Sequence, residues 1–433
     1  MSIEINLQEW QKTSFEIHKQ LASLELPEDD ATQSLLQALS KSEKLIVSQL
    51  RRGVVLETTS YVGRIALGDL RVTIHPKIKM LPLLQLLRYA FGLRQLALFS
   101  DVNFDNESLS FQDLLIYQLV AEVRELLLRG LHRRYVRREE TLASPRGSID
   151  IQKVARQGGI VQASLPCIYY PRLEDCLINQ VLLQGLRLAV SLTSDSMLRA
   201  HLLQLINFHL SAISSIRLNQ HTLMRLHREM DRLVNAYTPS IMLIEMLLAG
   251  EGLSLDQSHT EQHLSGFLFD MNVFFQELLF RFLSEHLRDY TVETQFELLD
   301  IMVYIDNPRK REAPRPRPDY VIKQAEKVVA IIDAKYRDLW ENPLPSHMLY
   351  QLVIYALSQQ SCNNAIILYP TTQPDAREAK IEVRIPSRDK GYAYVILRPV
   401  NLLELGALIT KPKNIFNENE RTDFARRLAF GYD

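Results

Sequence analysis

The chain has 433 residues, which is long enough for two or three domains with hydrophobic cores of their own. Its 50 Lys and Arg residues nearly balance its 51 Asp and Glu residues, so the net charge of −1 excludes attraction of nucleic acid by the overall charge and leaves only local patches. The three cysteines, Cys167, Cys176 and Cys362, have no CxxC or Cys/His spacing, which argues against a disulfide framework or a zinc site.

The N-terminal segment, 1–80, is predicted to form a small β-rich domain. Its first 43 residues have a helical pattern, whereas residues 44–78 alternate apolar and polar side chains between glycines. The pair Gly68-Asp69 lies between two alternating runs and predicts a tight hairpin turn. The opening MSIEINLQEWQK has no basic stretch followed by a hydrophobic core, and no apolar run approaches the roughly 18 to 20 residues of a membrane span. We therefore expect a cytoplasmic protein with no membrane segment.

Residues 81–260 are predicted to form a mostly helical region. Apolar residues recur at three- and four-residue spacing in LLQLLRYAFGL and in FQDLLIYQLVAEVRELLLRGLHRRYVRRE, and the pattern resumes from about 175 to 250. The second of these helices ends in a basic cluster of Arg129, His132, Arg133, Arg134, Arg137 and Arg138. The cluster either meets phosphates or acidic groups of a partner, or is a solvated helix end that the helix dipole favours.

The polar stretch GEGLSLDQSHTEQH marks the boundary with a third domain, 261–433. This domain begins with the helix MNVFFQELLFRFLSEHL and the strand-like run VETQFELLDIMVYI, and then crosses the loop NPRKREAPRPRP. Two strands, DYVIK and KVVAIIDAKY, precede the helix MLYQLVIYALS and the strand NAIILYP. A helix and a short sheet followed by a helix and a strand indicate an α/β core, so the whole chain is expected to be a multidomain α+β protein.

Two carboxylates and a lysine are predicted to meet on the paired strands. If Gln324–Glu326 form the turn, Asp319 lies opposite Ile331, on the sheet face that also carries Asp333 and Lys335. Because this strand is otherwise apolar, an acid and a base at its end are unfavourable unless they pair or hold a metal. Mg²⁺ binds to carboxylate pairs and assists phosphodiester hydrolysis. An Asp-x-Lys triplet by itself is also typical of a simple ion pair at a strand end.

The order Pro318-Asp319, hydrophobic run and Asp333-Ala334-Lys335 resembles the PD-(D/E)XK nuclease superfamily. The resemblance implies that both aspartates bind Mg²⁺. It also implies that Lys335 either helps to position and deprotonate the attacking water or stabilises the charged transition state.

Three helix residues extend this resemblance. Glu277 lies on the helix before the strands, where many members of the superfamily have an acidic residue that completes the metal site; the alternative is an exposed helix acid. Gln351 and Tyr355, four residues apart, share a helix face and match a QxxxY pattern that some branches place near the active site and DNA. The alternative is that these two residues only fill an interface.

The loop from Pro308 to Pro318 is strongly basic. It contains a single acid, Glu312, against five cations: Arg309, Lys310, Arg311, Arg315 and Arg317. Since the loop leads directly into Asp319, we expect it to grip the DNA backbone with an affinity that falls as salt rises. The alternative is a solvated loop.

Several blocks, in order from about residue 45 to 400, are similar to the McrC family, the nuclease subunit of McrBC-type, GTP-dependent, modification-dependent restriction systems. The blocks are GRIALGDLRVTIHPKI, LLRYAFGL, PRGSIDI, LPCIYYPRLEDCLINQVLLQGLRLA, FDMNVFFQELLFRFL, RPDYVI, IIDAKYR and HMLYQLVIYAL.

This resemblance implies an endonuclease subunit that cleaves modified double-stranded DNA in phage defence. Its partner would be an McrB-like AAA+ GTPase hexamer, on which the chain docks through its N-terminal portion and whose GTP hydrolysis it stimulates. From position and charge, our candidates for the docking surface are the basic segment Arg129–Arg138 and the helical body 175–250, both within the predicted partner-docking region 81–260. The sequence has no G-x-x-x-x-G-K-[ST] motif, so GTP is expected to bind to the partner and not to this chain. The alternatives are a stand-alone RecB-like nuclease and a non-cleaving assembly factor that only activates a GTPase.

Overall fold

The computed structural model describes residues 3–22, 24, 26–27, 29–94, 110–156, 163–251, 266–299, 301–358, 363–384 and 393–431. The chain divides into two compact units. The first is made of Met1–Gln95, Asn103–Phe111 and Leu255–Asp433, and the second of Leu96–Val102 and Gln112–Ser254. The predicted domains 1–80 and 261–433 thus lie in one unit. Most of the predicted polar boundary after residue 250 falls outside the described residues.

Helices and several sheets are both present, as expected of an α+β protein. The strands are β1 (Ile3–Gln8), β2 (Lys12–Ser14), β3 (Leu45–Leu50), β4 (Gly53–Thr58), β5 (Tyr61–Leu67), β6 (Leu70–His75), β7 (Arg134–Tyr135), β8 (Arg138–Leu142), β9 (Ser148–Ile149), β10 (Leu165–Tyr169), β11 (Arg172–Leu173), β12 (Gly266–Asp270), β13 (Thr291–Thr294), β14 (Tyr320–Gln324), β15 (Lys327–Ala334), β16 (Asn364–Thr371), β17 (Ala379–Val383) and β18 (Ala393–Asn401). The α-helices are α1 (Asp30–Lys41), α2 (Met80–Ala90), α3 (Phe111–Arg129), α4 (Ile151–Arg156), α5 (Leu177–Leu192), α6 (Ser196–His209), α7 (Gln220–Glu229), α8 (Thr238–Glu251), α9 (Met271–His286), α10 (Ser346–Leu357), α11 (Leu402–Thr410) and α12 (Ile415–Phe430).

A four-stranded sheet opens the first unit, in the order β1-β6-β5-β12. The predicted turn at Gly68-Asp69 is confirmed: it joins β5 to β6, and Gly68 has a φ of +63°. The helical expectation for the first 43 residues is wrong for β1 and β2 and holds only for α1. In β1, Ile5 and Leu7 are buried while their neighbours are more exposed, which is strand periodicity.

Strand β12 joins the distant parts of the first unit. It pairs with β5, and a Cβ at Gly63 would lie 2.1 Å from the carbonyl oxygen of Phe267, so the two backbones approach too closely for any side chain there. Its last residue, Asp270, is the N-cap of α9 and accepts a hydrogen bond of 2.9 Å from the backbone N–H of Asn272. The N-terminal sheet therefore fixes where α9 begins.

A six-stranded sheet forms the centre of the first unit, in the order β13-β14-β15-β16-β18-β17. Strands β15, β16 and β18 are parallel, and β13, β14 and β17 are antiparallel to their neighbours. Leu352 and Tyr355 of α10 pack in a hydrophobic core with Val321, Ile331 and Ile367. Helices α9 and α12 also contact β15.

Among its described residues the second unit is predominantly helical, as the spacing of its apolar residues predicted, but it also has five short strands, β7 to β11. The predicted long basic helix is wrong beyond Arg129, where α3 ends. The arginines that follow lie in short strands and loops and make ion pairs within the unit: Arg133–Glu174 at 2.7 Å, Arg134–Glu229 at 2.7 Å, Arg137–Glu139 at 2.7 Å and Arg138–Glu140 at 3.7 Å.

One stretch of the second unit, Arg232–Gly250, is long and apolar enough to cross a membrane, although the sequence pattern suggested no such run. Half of it is buried inside the protein, and α8, its main part, packs against α5. Burial among helices accounts for its apolar character.

Candidate metal centre

The register of the β14–β15 hairpin decides where Asp319 lies. Gln324 pairs with Lys327 and Tyr320 with Ile332, with a register shift between Ile322 and Lys323. The predicted position of Asp319 opposite Ile331 is therefore wrong, because the turn has two residues and the shift adds another. Continuing the register by one residue places Asp319 across from Asp333.

Asp319, Asp333 and Lys335 come together as predicted. The Nζ of Lys335 lies 2.9 Å from Oδ2 of Asp333 and 3.5 Å from Oδ2 of Asp319. The same oxygen of Asp319 accepts a hydrogen bond of 2.8 Å from the backbone N–H of Ala334. The backbone N–H of Lys335 donates to the carbonyl oxygen of Leu368 at 3.0 Å, so both strands of the cluster are anchored.

Asp333 is the buried member of the cluster, with only 2% of its surface exposed. Burial, with a further contribution from the nearby Asp319 carboxylate, raises its pKa to about 7 in spite of the opposing charge of Lys335. Its Oδ1 is buried and has no hydrogen-bond partner among the described residues. An unpartnered buried carboxylate oxygen is costly, which is typical of a functional group and not of a simple ion pair.

Lys335 is mostly buried as well. Burial acts to lower the pKa of its ammonium group, but the Asp333 and Asp319 carboxylates outweigh that effect and the pKa is raised. The two carboxylates thus hold a positive charge between them.

Glu277 lies on the exposed side of α9, where loss of surrounding water raises the pKa of its carboxyl group. It is near the cluster, because its neighbour Gln276 contacts Tyr320, the residue that follows Asp319. Burial, and then the Asp319, Glu277 and Asp333 carboxylates, raise the pKa of Tyr320. The Tyr320 hydroxyl donates to the carbonyl oxygen of Gln276 at 2.7 Å. However, the described part of the chain contains no group of three or more His, Cys, Asp or Glu residues placed to hold one metal ion. The metal role of Glu277 stays a prediction.

Gln351 and Tyr355 form a hydrogen-bonded chain that reaches the segment before Asp319. The Nε2 of Gln351 donates to the Tyr355 hydroxyl at 2.5 Å, and that hydroxyl donates to the carbonyl oxygen of Arg317 at 2.9 Å. Tyr355 is almost fully buried. In this arrangement the two residues fix the backbone that carries Pro318 and Asp319.

The basic loop is divided into two parts. Arg315 and Arg317 both make ion pairs with Glu297, at 2.9 Å for Arg315 and closer for Arg317. Arg309, Lys310 and Arg311 are exposed and make no ion pair with any residue that the structure describes. These three cations are the ones left for an external anion.

Sequence reasoning missed the residues that hold the strand end after Lys335. The backbone N–H of Tyr336 donates to Oδ1 of Asn272 at 3.0 Å, and the Tyr336 hydroxyl donates to Oε1 of Glu9 at 3.0 Å. The next guanidinium, of Arg337, lies 5.2 Å from the ring of Trp10. Of Asn272, Glu9 and Trp10, only Asn272 lies in a sequence block that resembles the McrC family, FDMNVFF. No pattern in the sequence indicated a role for Glu9 or Trp10.

The donor set fits Mg²⁺. This ion needs one or two carboxylates and retains several waters, and Asp319 and Asp333 supply the pair. The unpartnered Oδ1 of Asp333 is a free ligand atom, and a cation beside it would offset the unfavourable burial of its charge.

Comparisons with known proteins identify the family and agree with this fold. The model of the family described as McrBC 5-methylcytosine restriction system component matches residues 56–370. The fold is similar to a chain in the refined half-complex from a tetradecameric assembly of Thermococcus gammatolerans McrB AAA+ hexamers with bound McrC. The TM-score is 0.62 at 19% identity, over 98% of this chain and 99% of that chain.

A second similar structure is the cryo-EM structure of the Thermococcus gammatolerans McrBC complex, with a TM-score of 0.46 and 20% identity over 66% of this chain and 88% of that chain. No protein with a curated description matches. Because the family model spans well over half of the sequence, the chain belongs to the family of McrBC 5-methylcytosine restriction system components.

Proposed function

We propose that this chain is the DNA endonuclease subunit of a cytoplasmic McrBC-like restriction complex and hydrolyses phosphodiester bonds with Mg²⁺. The observation that carries the proposal is the buried Asp333, which lies across from Asp319, is bridged to it by Lys335 and has one unpartnered carboxylate oxygen. The match to the restriction family supports DNA as the substrate.

In this proposal Asp319 and Asp333 would hold the metal ion, which when bound would activate water and offset negative charge on the reacting phosphate. Lys335, held between the two carboxylates, places a positive charge beside the scissile phosphate. Gln351 and Tyr355 keep Asp319 in place through the carbonyl oxygen of Arg317. Arg309, Lys310 and Arg311 contact the DNA backbone.

The proposed partner is an McrB-like AAA+ GTPase hexamer, whose GTP hydrolysis this chain stimulates. Support comes from the family match and from the similarity of fold to a chain in an assembly of McrB hexamers with bound McrC. The second unit is our candidate for the docking surface. Arg133, Arg134 and Arg137 of this unit are exposed but already paired with glutamates of the same unit, so a partner that used them would have to replace those pairs.

The test is reconstitution of the full chain with its McrB-like partner, GTP, Mg²⁺ and DNA with or without 5-methylcytosine. Asp333→Ala is expected to abolish cleavage while GTPase stimulation is retained. Glu326→Gln, an exposed acid in the turn of the same hairpin, is the matched control and should cleave as the wild type does. Retained cleavage by Asp333→Ala would contradict the proposed site.

Two other outcomes would favour the alternatives. Cleavage without the partner or GTP would point to a stand-alone RecB-like nuclease. GTPase stimulation with no cleavage by the wild type, over a range of divalent ions, would point to a non-cleaving assembly factor.

A further inference from the structure

A cleft of about 1050 Å³ lies between α2, α9 and the segment that joins α11 to α12, all within the first unit. None of the residues that line it belongs to the candidate metal centre or to the basic loop. Its role is therefore open.

The cleft carries an excess of positive charge. Five cations line it, namely Arg88, Arg281, Arg288, Lys413 and Arg421, against two carboxylates, Glu285 and Glu418. His286 also lines it, but burial lowers the pKa of its imidazole and keeps it neutral near pH 7. The cleft thus has three more positive than negative charges, in a chain whose net charge is −1.

Part of this charge is fixed in place by the fold. The guanidinium of Arg281 lies 5.1 Å from the ring of Tyr89 and 2.7 Å from Glu285. Gly92, with a φ of +65°, makes room for it, since a Cβ there would lie 2.8 Å from Nη1 of Arg281. The Arg281–Glu285 pair is therefore a preorganised and nearly neutral part of the wall, and the excess positive charge of the cleft lies on its other cations.

Other cations remain available for a ligand. Lys413 is exposed and makes no ion pair with any residue in the described ranges. Arg288 has 78% of its side chain exposed and reaches Glu418 only at 3.4 Å. A surface pair of this kind contributes little stability, so an anionic ligand can compete for the guanidinium.

Two polar features add hydrogen-bonding capacity. The N-cap of α12, Asn414, lines the cleft, so the positive end of a 16-residue helix lies there. His286 is 6% exposed, and its Nδ1 has no hydrogen-bond partner in the described part of the chain, with Glu418 at 3.7 Å. In the neutral tautomer that carries the proton on Nδ1, this group can donate a hydrogen bond to an oxygen of an anion in the cleft.

We infer that this cleft binds backbone phosphates of the DNA that the metal centre cleaves. The inference rests on the proposed function, because DNA is the ligand. Helix α9 connects the two places: Glu277 lies near the cluster, and Arg281 of the cleft lies four residues further on, on the same side of the helix. The helix ends at His286, about 14 Å from Glu277 along the axis at about 1.5 Å for each of nine residues. At about 3.4 Å per base pair this distance corresponds to roughly four base pairs. The cleft is thus a backbone contact a few nucleotides from the cut.

The test measures DNA binding by the full chain without Mg²⁺, using the fluorescence anisotropy of a labelled duplex at salt concentrations between 50 and 200 mM. The double variant Arg288→Gln/Lys413→Gln removes two exposed cations of the cleft. We expect the slope of log affinity against log salt to fall by about 1.8, and the affinity at 0.1 M salt to fall roughly tenfold or more. The matched control Arg51→Gln/Arg52→Gln removes two exposed cations of the same unit outside the cleft and should leave both unchanged.

Equal slopes and affinities for the cleft variant and the wild type, or a wild type that binds no DNA, would overturn the inference. An equal loss in the control variant would do the same, because it would show a general charge effect. The proposed nuclease function is judged separately, by the cleavage result for Asp333→Ala. The proposed DNA contact at the cleft can therefore be refuted while the nuclease proposal is upheld, and the nuclease proposal can be refuted while the DNA contact is upheld.

Discussion

Replacing the buried acid that follows β1, Glu9→Gln, tests how the N-terminal sheet is joined to the segment that follows β15. Only 1% of Glu9 is exposed. Its Oε1 accepts hydrogen bonds from the backbone N–H of Lys77 at 2.8 Å and from the Tyr336 hydroxyl at 3.0 Å. Glutamine has the same shape and keeps one acceptor oxygen, so the substitution removes the titratable charge and leaves the packing in place.

The magnitude follows from the pKa of Glu9, which burial raises from its ordinary value of 4.5 to about 7 against the opposing effects of Lys77 and Tyr336. Because the folded state holds this proton more tightly than the unfolded state does, its contribution to stability is full below pH 4.5 and is lost as the pH rises to about 7. About 2.5 pH units at about 1.36 kcal/mol each give about 3 kcal/mol.

The assay is urea denaturation of wild type and Glu9→Gln at matched pH values from 4 to 8. The free energy of unfolding of the variant minus that of the wild type should rise by about 3 kcal/mol across this range, because every other titrating group cancels in the difference. A difference that stays flat from pH 4 to 8 would refute the reasoning, since Glu9 would then be ionised in the folded protein at an ordinary pH.

Two further substitutions test the support of the site and the assembly of the first unit. Tyr355→Phe keeps the ring but removes the hydroxyl that links Gln351 to the carbonyl oxygen of Arg317. We expect DNA cleavage to be roughly tenfold slower, GTPase stimulation to be unchanged and the free energy of unfolding to fall by about 1 to 2 kcal/mol. Unchanged cleavage would show that the hydroxyl does not position Asp319. Gly63→Ala puts a Cβ 2.1 Å from the Phe267 carbonyl oxygen at a φ of +137°, and should lower the free energy of unfolding in urea by about 3 kcal/mol or more. For Gly266→Ala on the paired strand, the nearest neighbour of the new Cβ is the Ile65 side chain at 3.2 Å, and the loss should be less than about 1 kcal/mol. Equal midpoints for the two glycine variants would contradict the close pairing of β5 and β12.

The chemistry of the site was predictable because it is local in the sequence. Asp333 and Lys335 are two residues apart on a strand, so their shared face follows from strand periodicity. The strand register of the hairpin was harder to predict from the sequence. The two-residue turn, with a positive φ at Ala325, and the register shift beside Lys323 together place Asp319 opposite Asp333 and not opposite Ile331 as predicted. No residue type in the hairpin indicates this shift.

The long-range parts of the fold could not be predicted from pattern. Glu9 and Tyr336 are 327 positions apart and meet only because β1 pairs in parallel with β6. Strand β12 is only five residues long and follows a polar stretch, and the sequence pattern did not predict a strand there. In the second unit, arginines after Arg129 continue a helical pattern, yet cross-strand pairing takes them into short strands. Tertiary contacts outweighed local propensity in each case.

The pairing of β12 with β5 makes folding of the N-terminal sheet depend on a strand that is synthesised much later. The sheet that begins at Ile3 cannot be completed until β12, which starts at residue 266, has been made, and 190 residues lie between that point and the end of β6 at His75. At about 5 to 20 residues per second, the unfinished edge of β5 waits for roughly 10 to 40 seconds. During that interval the whole second unit is translated, and an exposed strand edge is a site for wrong pairing. Slow translation or a shortage of chaperones should therefore harm the first unit before the second.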